Sequence, residues 1–468
     1  MSTKNLGILI CILLLAGCKA GKNYQGTKLN IPDSFYFEKE ENPPGYLEVN
    51  TDSLNKEHIK DIEWFGLFSD PILDSLIKQA LAYNQDLNVA AEAIVQAQDG
   101  LVIQRSAMLP YIGKEFGASR GNFQGTVLPD VDNLFYTAAF VNWDLDFWGK
   151  YRRLNEAARA RIVQTAEGYR ATRLSLISTV ASEYFLLLDF RARLEISERN
   201  LALRDSMLNI VEQRFEKGIV AEIEVNQAQI KRAVAAEAVP VWKRLIAQTE
   251  NRISVLTGTN PRRMPITPRL LEQDTSITIP AGLPSELLLR RPDIVAAEQS
   301  LIAQNALIGV AKANRLPGIS LTGLFGLATN ELSNISDIPF AWNVGGALTG
   351  PIFNFGRFRR QVFIEQSKAV QAELVYQRVV LNAFRSVEDA LVEISTLKEE
   401  LLAREARLKA SINAQRLSAE RYDKGVTSYL EFLESQRQAF ESELNYTSAR
   451  RELLVAYVKL YQALGGGW

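Results

Sequence analysis

The chain offers almost nothing from which a cross-link or a catalytic centre could be built. Its 468 residues include two cysteines, Cys11 and Cys18, and one histidine, His58. Cys11 lies in an apolar N-terminal run that reads as a leader, so the mature chain has no disulfide and must hold together by packing. No nucleotide loop, Cys/His cluster or nucleophile motif accompanies His58, which points away from an enzyme and from a metal site. Methionine is scarce too, four including Met1, so a soft metal ion would find few thioethers. A formal charge of -1 gives no basic surface for nucleic acid. Beyond Cys18 no stretch approaches the roughly 18 uninterrupted apolar residues of a membrane helix. A bilayer crossing would therefore need a closed β-barrel.

What is present is ordinary in amount and unusual in arrangement. Hydrophobic residues at 47% and charged residues at 23% suit a globular chain with an ample core. The chain states one pattern twice, at an offset of 207 residues. Asp86 answers Asp293, Pro110 answers Pro317, and Gly149, Gly218 and Gly258 answer Gly356, Gly425 and Gly465. Glycine makes up only 28 positions, so three glycine pairs in register mark a duplicated structural unit. Residues 71–279 and 280–468 are expected to be the two copies, following a leader (1–17) and an N-terminal segment (18–70).

The leader ends in Leu15-Ala16-Gly17-Cys18, small residues before a cysteine, which reads as a bacterial lipobox. Cleavage would leave Cys18 first and acylated. The alternative is an ordinary secretory signal with an incidental cysteine.

Between Gly149 and Gly218, and again between Gly356 and Gly425, lie 68 proline-free residues. At about 1.5 Å per residue such a helix would reach roughly 100 Å. Leu174, Ile177, Ala181, Tyr184 and Leu188 recur at steps of three and four, as do Val380, Phe384, Val387, Leu391 and Ile394, which is coiled-coil spacing. Helices are also expected at about 220–257 and 428–464, returning from the long ones, and at about 84–108 and 292–315, preceding them. Their summed lengths match a long helix, so the short pair is expected to stack end to end beside it.

Between Pro110 and Gly149, and between Pro317 and Gly356, the period changes to two. Ile319, Leu321, Phe325 and Leu327 alternate with small polar residues, as do Phe340, Trp342, Val344 and Leu348; Phe135, Ala139, Val141 and Trp143 repeat the pattern more weakly. Hairpins at about 112–144 and 318–350 follow. Each strand has the length of a tilted membrane strand, with aromatics suited to the interface. The alternative is a pair of half-buried soluble hairpins. Single-chain membrane barrels begin at about eight strands. Four cannot close, so several chains would have to share one barrel, with their long helices forming a second tube.

The residues also carry a resemblance. Phe68-Ser-Asp-Pro-Ile-Leu, Gly282-Leu-Pro-Ser-Glu-Leu-Leu-Leu-Arg-Arg-Pro-Asp-Ile294, Gly350-Pro-Ile-Phe-Asn-Phe-Gly-Arg357 and Tyr422-Asp-Lys-Gly-Val are similar to motifs of the outer-membrane efflux proteins of the TolC family, in their OprM-like lipoprotein branch. The resemblance implies a mainly α fold with a membrane β-hairpin pair: a trimeric α/β barrel, twelve strands in the outer membrane, a helical periplasmic tunnel and an equatorial belt. It implies an exit duct working with a periplasmic adaptor and an inner-membrane resistance-nodulation-division (RND) transporter, and no cofactor beyond the lipid on Cys18.

Glu431 and Glu434, three apart on one helix face, look like the family's acidic constriction. Three-fold symmetry would gather six carboxylates, favour cations and raise the carboxyl pKa values by mutual repulsion. The alternative is a solvated acidic pair. Tyr422 matches a latch tyrosine, although Thr427 stands where the latch arginine is expected. Gly218, Ile219 and Val220 with Gly425, Val426 and Thr427 would form the rim that meets the adaptor. Arg290-Arg291-Pro292-Asp293 suggests a phosphate site, but Pro292 opening a helix whose positive end favours Asp293 is the simpler structural account. Two rival functions stand: an exit duct for ABC-driven type I secretion on the same fold, and a lipid-tethered coiled-coil scaffold without a pore.

Overall fold

The computed structural model describes residues 19–27, 29, 31, 32, 35, 67–121, 132–265, 269–275, 277, 284–331 and 339–466. The leader, Cys18, His58 and Gly282 lie outside the described residues. Among those described, the chain runs α1 (Pro71–Tyr83), α2 (Gln85–Ser106), β1 (Tyr111–Gly121), β2 (Asp132–Leu145), α3 (Lys150–Glu216), α4 (Glu222–Leu256), a 3-10 turn (Leu270–Glu272), α5 (Pro284–Arg290), α6 (Pro292–Ala313), β3 (Gly318–Thr329), β4 (Phe340–Thr349), α7 (Arg357–Asp423) and α8 (Tyr429–Ala463). Shifting α2, α3 and α4 by 207 residues reproduces both bounds of α6, α7 and α8. The glycines repeat in conformation as well as position. Gly149, Gly218, Gly258, Gly356, Gly425 and Gly465 all have positive φ, between 68° and 89°.

Four of them, Gly218, Gly258, Gly425 and Gly465, end helices by one mechanism. Ile219 N donates to Arg214 O and Gly218 N to Phe215 O, and Val426 and Gly425 repeat the pair on Arg421 and Tyr422. This is the Schellman closure, in which a left-handed residue lets two N–H groups satisfy the last carbonyls. At the start of α3 the cap is a side chain: the Asp146 carboxylate accepts from Tyr151 N (3.0 Å) and Arg152 N (2.9 Å).

The chain divides into two compact units that do not follow the repeats. One holds residues 1–29, 91–167 and 295–379, the other 30–90, 168–294 and 380–468. Each therefore draws on both copies.

The first unit contains a single antiparallel sheet of four strands in the order β1-β2-β3-β4. The sequence anticipates the two hairpins; the β2–β3 pairing, with Leu145 opposite Ile319 and Phe135 opposite Thr329, joins them. The registers place Ile112, Phe116, Val141, Trp143, Leu321, Phe325, Leu327, Phe340, Trp342, Val344 and Leu348 on one face. The other carries Glu115, Tyr136, Asn142, Thr322 and Asn343, with Tyr136 donating to Glu115 at 2.7 Å. On this polar face Phe140 lies over Gly113 and Tyr136 over Gly117, each ring filling the space of the absent side chain. The apolar face is solvent-exposed: Phe116, Phe340, Trp342 and Leu348 are each about 70% accessible. The same unit holds most of α6, the one described helix long and apolar enough to cross a membrane. Its Ala303 and Ala306 pack on Ala157 and Ala160 of α3, a small-residue contact that brings two helices close.

The second unit carries the main core. Leu174, Ile177, Ala181, Tyr184 and Leu188 are all buried in it, as the heptad spacing predicts. In α7 Val387 and Ile394 are buried, while Phe384 and Leu391 lie at the edge and Ala390 goes inside. The buried stripe is turned slightly from the apolar one, because the small alanine permits close approach. Asp70 ties the start of α1 to this core. Its Oδ1 caps α1 by accepting from Ile72 N and Leu73 N, and its Oδ2 accepts from Tyr184 OH (2.6 Å) and Gln273 Nε2 (2.8 Å). Burial, followed by this bond to the carboxylate, pushes the Tyr184 phenol well above its usual range.

The short helices meet end to end, as their lengths require. In the first copy Asn84 Nδ2 donates to Leu256 O (3.0 Å), and its Oδ1 accepts from Leu87 N to cap α2. In the second, Arg291 stands at the equivalent position and donates to Ala463 O (2.7 Å) and Ser386 Oγ while holding Asp293 in a two-point ion pair. The Arg-Arg-Pro-Asp signature is thus helix-joining structure. Gly258 sits where a Cβ would meet Tyr83 O at 2.3 Å; at Gly465 the nearest contact would be Arg290 O at 3.1 Å, and at Gly218 and Gly425 nothing lies within 4 Å.

These distances set an order for substitution. Gly218→Ala and Gly425→Ala carry only the left-handed backbone cost of about 1–2 kcal/mol. Gly465→Ala should cost more and Gly258→Ala most, because backbone must move. Thermal unfolding of the four detergent-solubilised variants should rank them so; equal midpoints would contradict the joint.

Candidate functional site

The two tight turns between long and returning helices lie in the second unit, and one cluster binds them together. Tyr422 of α7 stacks on Phe432 of α8 (centroids 5.4 Å, planes 5° apart) and meets Tyr429 at 5.6 Å. Val211 of α3, Val225 and Ala228 of α4, and Leu433 complete the buried set. The Arg214 guanidinium covers the Tyr422 ring at 4.9 Å. Tyr422 is therefore a packing element between the helical hairpins of both copies. Burial raises its phenol pKa, and the nearby Arg214 charge opposes the shift.

Outside this cluster the turns show apolar tips. Ile219 and Val426, each the residue after its glycine, are 67% and 65% exposed, and Ile223 and Leu430 are exposed at the first turns of α4 and α8. Val220 packs inward against the cluster. Among the adaptor-rim residues proposed from sequence, Ile219 and Val426 thus point to solvent beside their open glycines, whereas Val220 does not. Thr427 is half-buried and its hydroxyl donates to a Glu431 carboxylate oxygen.

Glu431 and Glu434 are both exposed and both paired. Glu431 N is capped by Ser428 Oγ at 3.2 Å, and its carboxylate faces Arg421 at 3.5 Å as well as Thr427. Arg421 and Thr427 together occupy the neighbourhood in which a latch arginine is expected. Glu434 receives two bonds from Arg437 (2.5 and 2.9 Å) and one from Gln438 (2.9 Å). Those bonds, Arg437 first, hold its carboxyl down at about 2. Within one chain the shift therefore runs opposite to the one expected from a ring of mutually repelling carboxylates, because a hydrogen-bonded guanidinium acts at contact distance. The Glu434–Arg437 spacing of three was readable as a helix-face pair. Arg204 was not: it is buried on α3, donates to Gln436 of α8, and nothing local in the sequence distinguishes it from a surface arginine.

A second site lies in the first unit, where the chain emerges beyond Cys18. Arg153, only 1% exposed, donates to Ala20 O (2.9 Å), Gly21 O (2.6 Å), Asn23 Oδ1 (3.0 Å) and Glu156 (2.8 Å). Lys19 joins Glu156 at 2.7 Å, and Ala20 N donates to Trp148 O. The segment is thereby strapped to the strand–helix junction at Leu145–Lys150 and to α6, where Gly309 leaves room for the Ala20 carbonyl. Among the described residues no group of three or more His, Cys, Asp or Glu could hold a metal ion.

The model of the outer membrane efflux protein family matches residues 76–259 and again 283–466. The two matches are themselves 207 residues apart, so the family unit is the repeat. The toluene efflux pump outer membrane protein TtgF of Pseudomonas putida is 30% identical over 100% of this chain and 98% of its own. The cation efflux system protein CusC of Escherichia coli is 30% identical over 98% of each chain. A crystal structure of a membrane protein from Pseudomonas aeruginosa superposes with a TM-score of 0.84 at 28% identity, covering 96% of this chain and 98% of that one. This chain, a transport protein and not an enzyme, belongs to the outer membrane efflux protein family.

Proposed function

We propose that this chain is the outer-membrane exit duct of a tripartite RND-type efflux system, passing small molecules from a periplasmic adaptor and an inner-membrane transporter to the outside. The observation that carries the reading is the sheet: four strands with an exposed apolar face, a polar face opposite and long helices attached, in a chain of this family. In a bilayer the apolar face meets lipid and the polar face lines water. Three chains supply twelve strands, and the homotrimer closes the barrel that one chain leaves open. Acyl groups on Cys18 add a tether, just ahead in sequence of the Ala20–Gly21 segment that Arg153 straps.

The helix turns are the periplasmic entrance. Exposed Ile219 and Val426 beside open glycines offer the adaptor an apolar, close-approach rim. Glu431 and Glu434 line the constriction as arginine-braced carboxylates. Cargo is not carried by overall likeness, since equally similar relatives are named for toluene and for cations. Those names favour efflux over ABC-driven secretion.

Planar-bilayer recording tests the duct directly. The purified full-length protein should give cation-preferring channels, and the Glu431→Gln/Glu434→Gln variant should lose most of that preference. A protein that inserts no conductance is the scaffold instead; an unchanged reversal potential in the variant removes the carboxylates from the path.

The Arg437 brace makes a separate forecast. A depressed carboxyl keeps its charge above its pKa and loses it as pH falls through that value, here about 2. The part of the cation preference that Glu434 supplies should thus stay flat from about pH 8 to about pH 4, where an ordinary carboxyl near 4.3 would already be half protonated. Arg437→Gln should strengthen the preference at neutral pH and make it fall between about pH 5 and 3, as the freed carboxyl returns to that range. A variant with the parent's pH profile would show that the brace does not set the charge.

A further inference from the structure

Beside the first strand–helix junction, within the first unit, lies a cavity of about 490 Å³ lined by Lys19, Met108, Arg152, Asn155, Glu156 and Arg159. Trp143 sets its level. That residue stands on the apolar face of the sheet near the end of β2, and its indole N–H donates to Met108 O at 2.9 Å. A ring on apolar surface with its N–H on a polar acceptor is the placement of an interfacial tryptophan. Asn155 lies five residues beyond Lys150, roughly 8 Å along α3 at about 1.5 Å per residue. The headgroup layer of a bilayer adds about 5–8 Å on each side of the hydrocarbon. With the apolar face in lipid, the cavity is at headgroup depth, and Lys19, the residue after Cys18, is part of its wall.

The charges of this cavity are not balanced from within. Three cations share the wall with one carboxylate. Glu156 is taken by Lys19 at 2.7 Å and by Arg153 at 2.8 Å, and Arg152 is turned onto Asp146. Arg159 is exposed and has no hydrogen bond or ion pair among the described residues. Asn155 is only 5% exposed; its Nδ2 faces Met108 Sδ at 2.9 Å, and its Oδ1 has no partner. An unmet buried acceptor is costly. The fold requires neither residue. Shifted by 207, Asn155 becomes Val362, which is also 5% exposed, Arg159 becomes Gln366, and Glu156 becomes Phe363. The same helix packs in the second copy with an apolar side chain at the buried position. Excess positive charge and an unmet acceptor together call for a ligand bringing an oxyanion and a hydroxyl donor.

We infer that this cavity seats the headgroup of an anionic phospholipid of the phosphatidylglycerol class, with its phosphodiester on Arg159 and Lys19 and a headgroup hydroxyl donating to Asn155 Oδ1. Acyl groups on Cys18 bring no phosphate and leave that charge unmet. The inference rests on the lipid-facing reading of the sheet, and it gives each subunit an exchangeable lipid beside the covalent one.

Native mass spectrometry of the full-length protein, released from micelles doped with dioleoyl phosphatidylglycerol or dioleoyl phosphatidylethanolamine, tests it. Phosphatidylglycerol should saturate at one per chain, and phosphatidylethanolamine should be retained more weakly. Arg159→Gln, which installs the second copy's residue at an exposed position, removes a charge-assisted bond and should raise the half-saturating phosphatidylglycerol concentration about tenfold. Asn155→Val, again the second copy's choice, should weaken retention as well. Arg232→Gln, at an exposed arginine of the other unit, should not. Parent-like retention by Arg159→Gln, or equal retention of the two lipids, overturns the seat. Displacement of the lipid by free glycerol phosphate makes this a site for soluble phosphate and overturns the lipid. Planar-bilayer recording from the same preparation keeps the two readings apart. Channels without a retained phospholipid overturn the seat alone; protein that takes up neither lipid nor detergent and gives no channels overturns the lipid-facing sheet with it.

Discussion

Two rows of backbone N–H and C=O groups, along the outer edges of β1 and β4, have no partner strand in the four-stranded sheet of one chain. In water such edges are a hazard for aggregation. In hydrocarbon each unsatisfied group costs several kcal/mol, which no side-chain contact in the sheet offsets. The apolar face sends the sheet into lipid and the open edges forbid it to go alone. In the proposed homotrimer, shared closure resolves that conflict.

The helices follow from the same requirement. β2 and β4 run through Leu145–Lys150 and Thr349–Arg357 into helices of 67 residues each, so strands shared between copies would bring their helices together. The second unit holds those helices in register through the Asp70–Tyr184–Gln273 network, the two end-to-end joints at Asn84 and Arg291, and the Tyr422 cluster at the turns. Among the described residues, the carboxylates beyond the turns and the apolar tips are the ones the proposed function uses. Both are drawn from exposed positions that the packing does not use, as expected of a duct whose partners supply energy and choice.

Much of this was legible because it is local or periodic. The glycine pairs at an offset of 207 mark helix ends through positive φ, a property of single residues, and the bounds of the long helices follow within one residue. Alternation located the strands because one face meets a different solvent from the other. What escaped was set by partners far apart in sequence. The β2–β3 pairing, the hold of Asp70 on Tyr184 and Gln273, and the grip of Arg153 on Ala20 and Gly21 join residues more than 100 positions apart, with no turn or period to announce them. Even the carboxyl shift at Glu434 needed the rotamer of Arg437 as well as its spacing of three.

Counting chains and bound detergent in the same particle tests the central claim most directly. Native mass spectrometry of the protein released from micelles should give three chains, and sedimentation before release should show a detergent belt matching a barrel's girth. A stable monomer in plain buffer, carrying no detergent and retaining its helices, would contradict the account at its base.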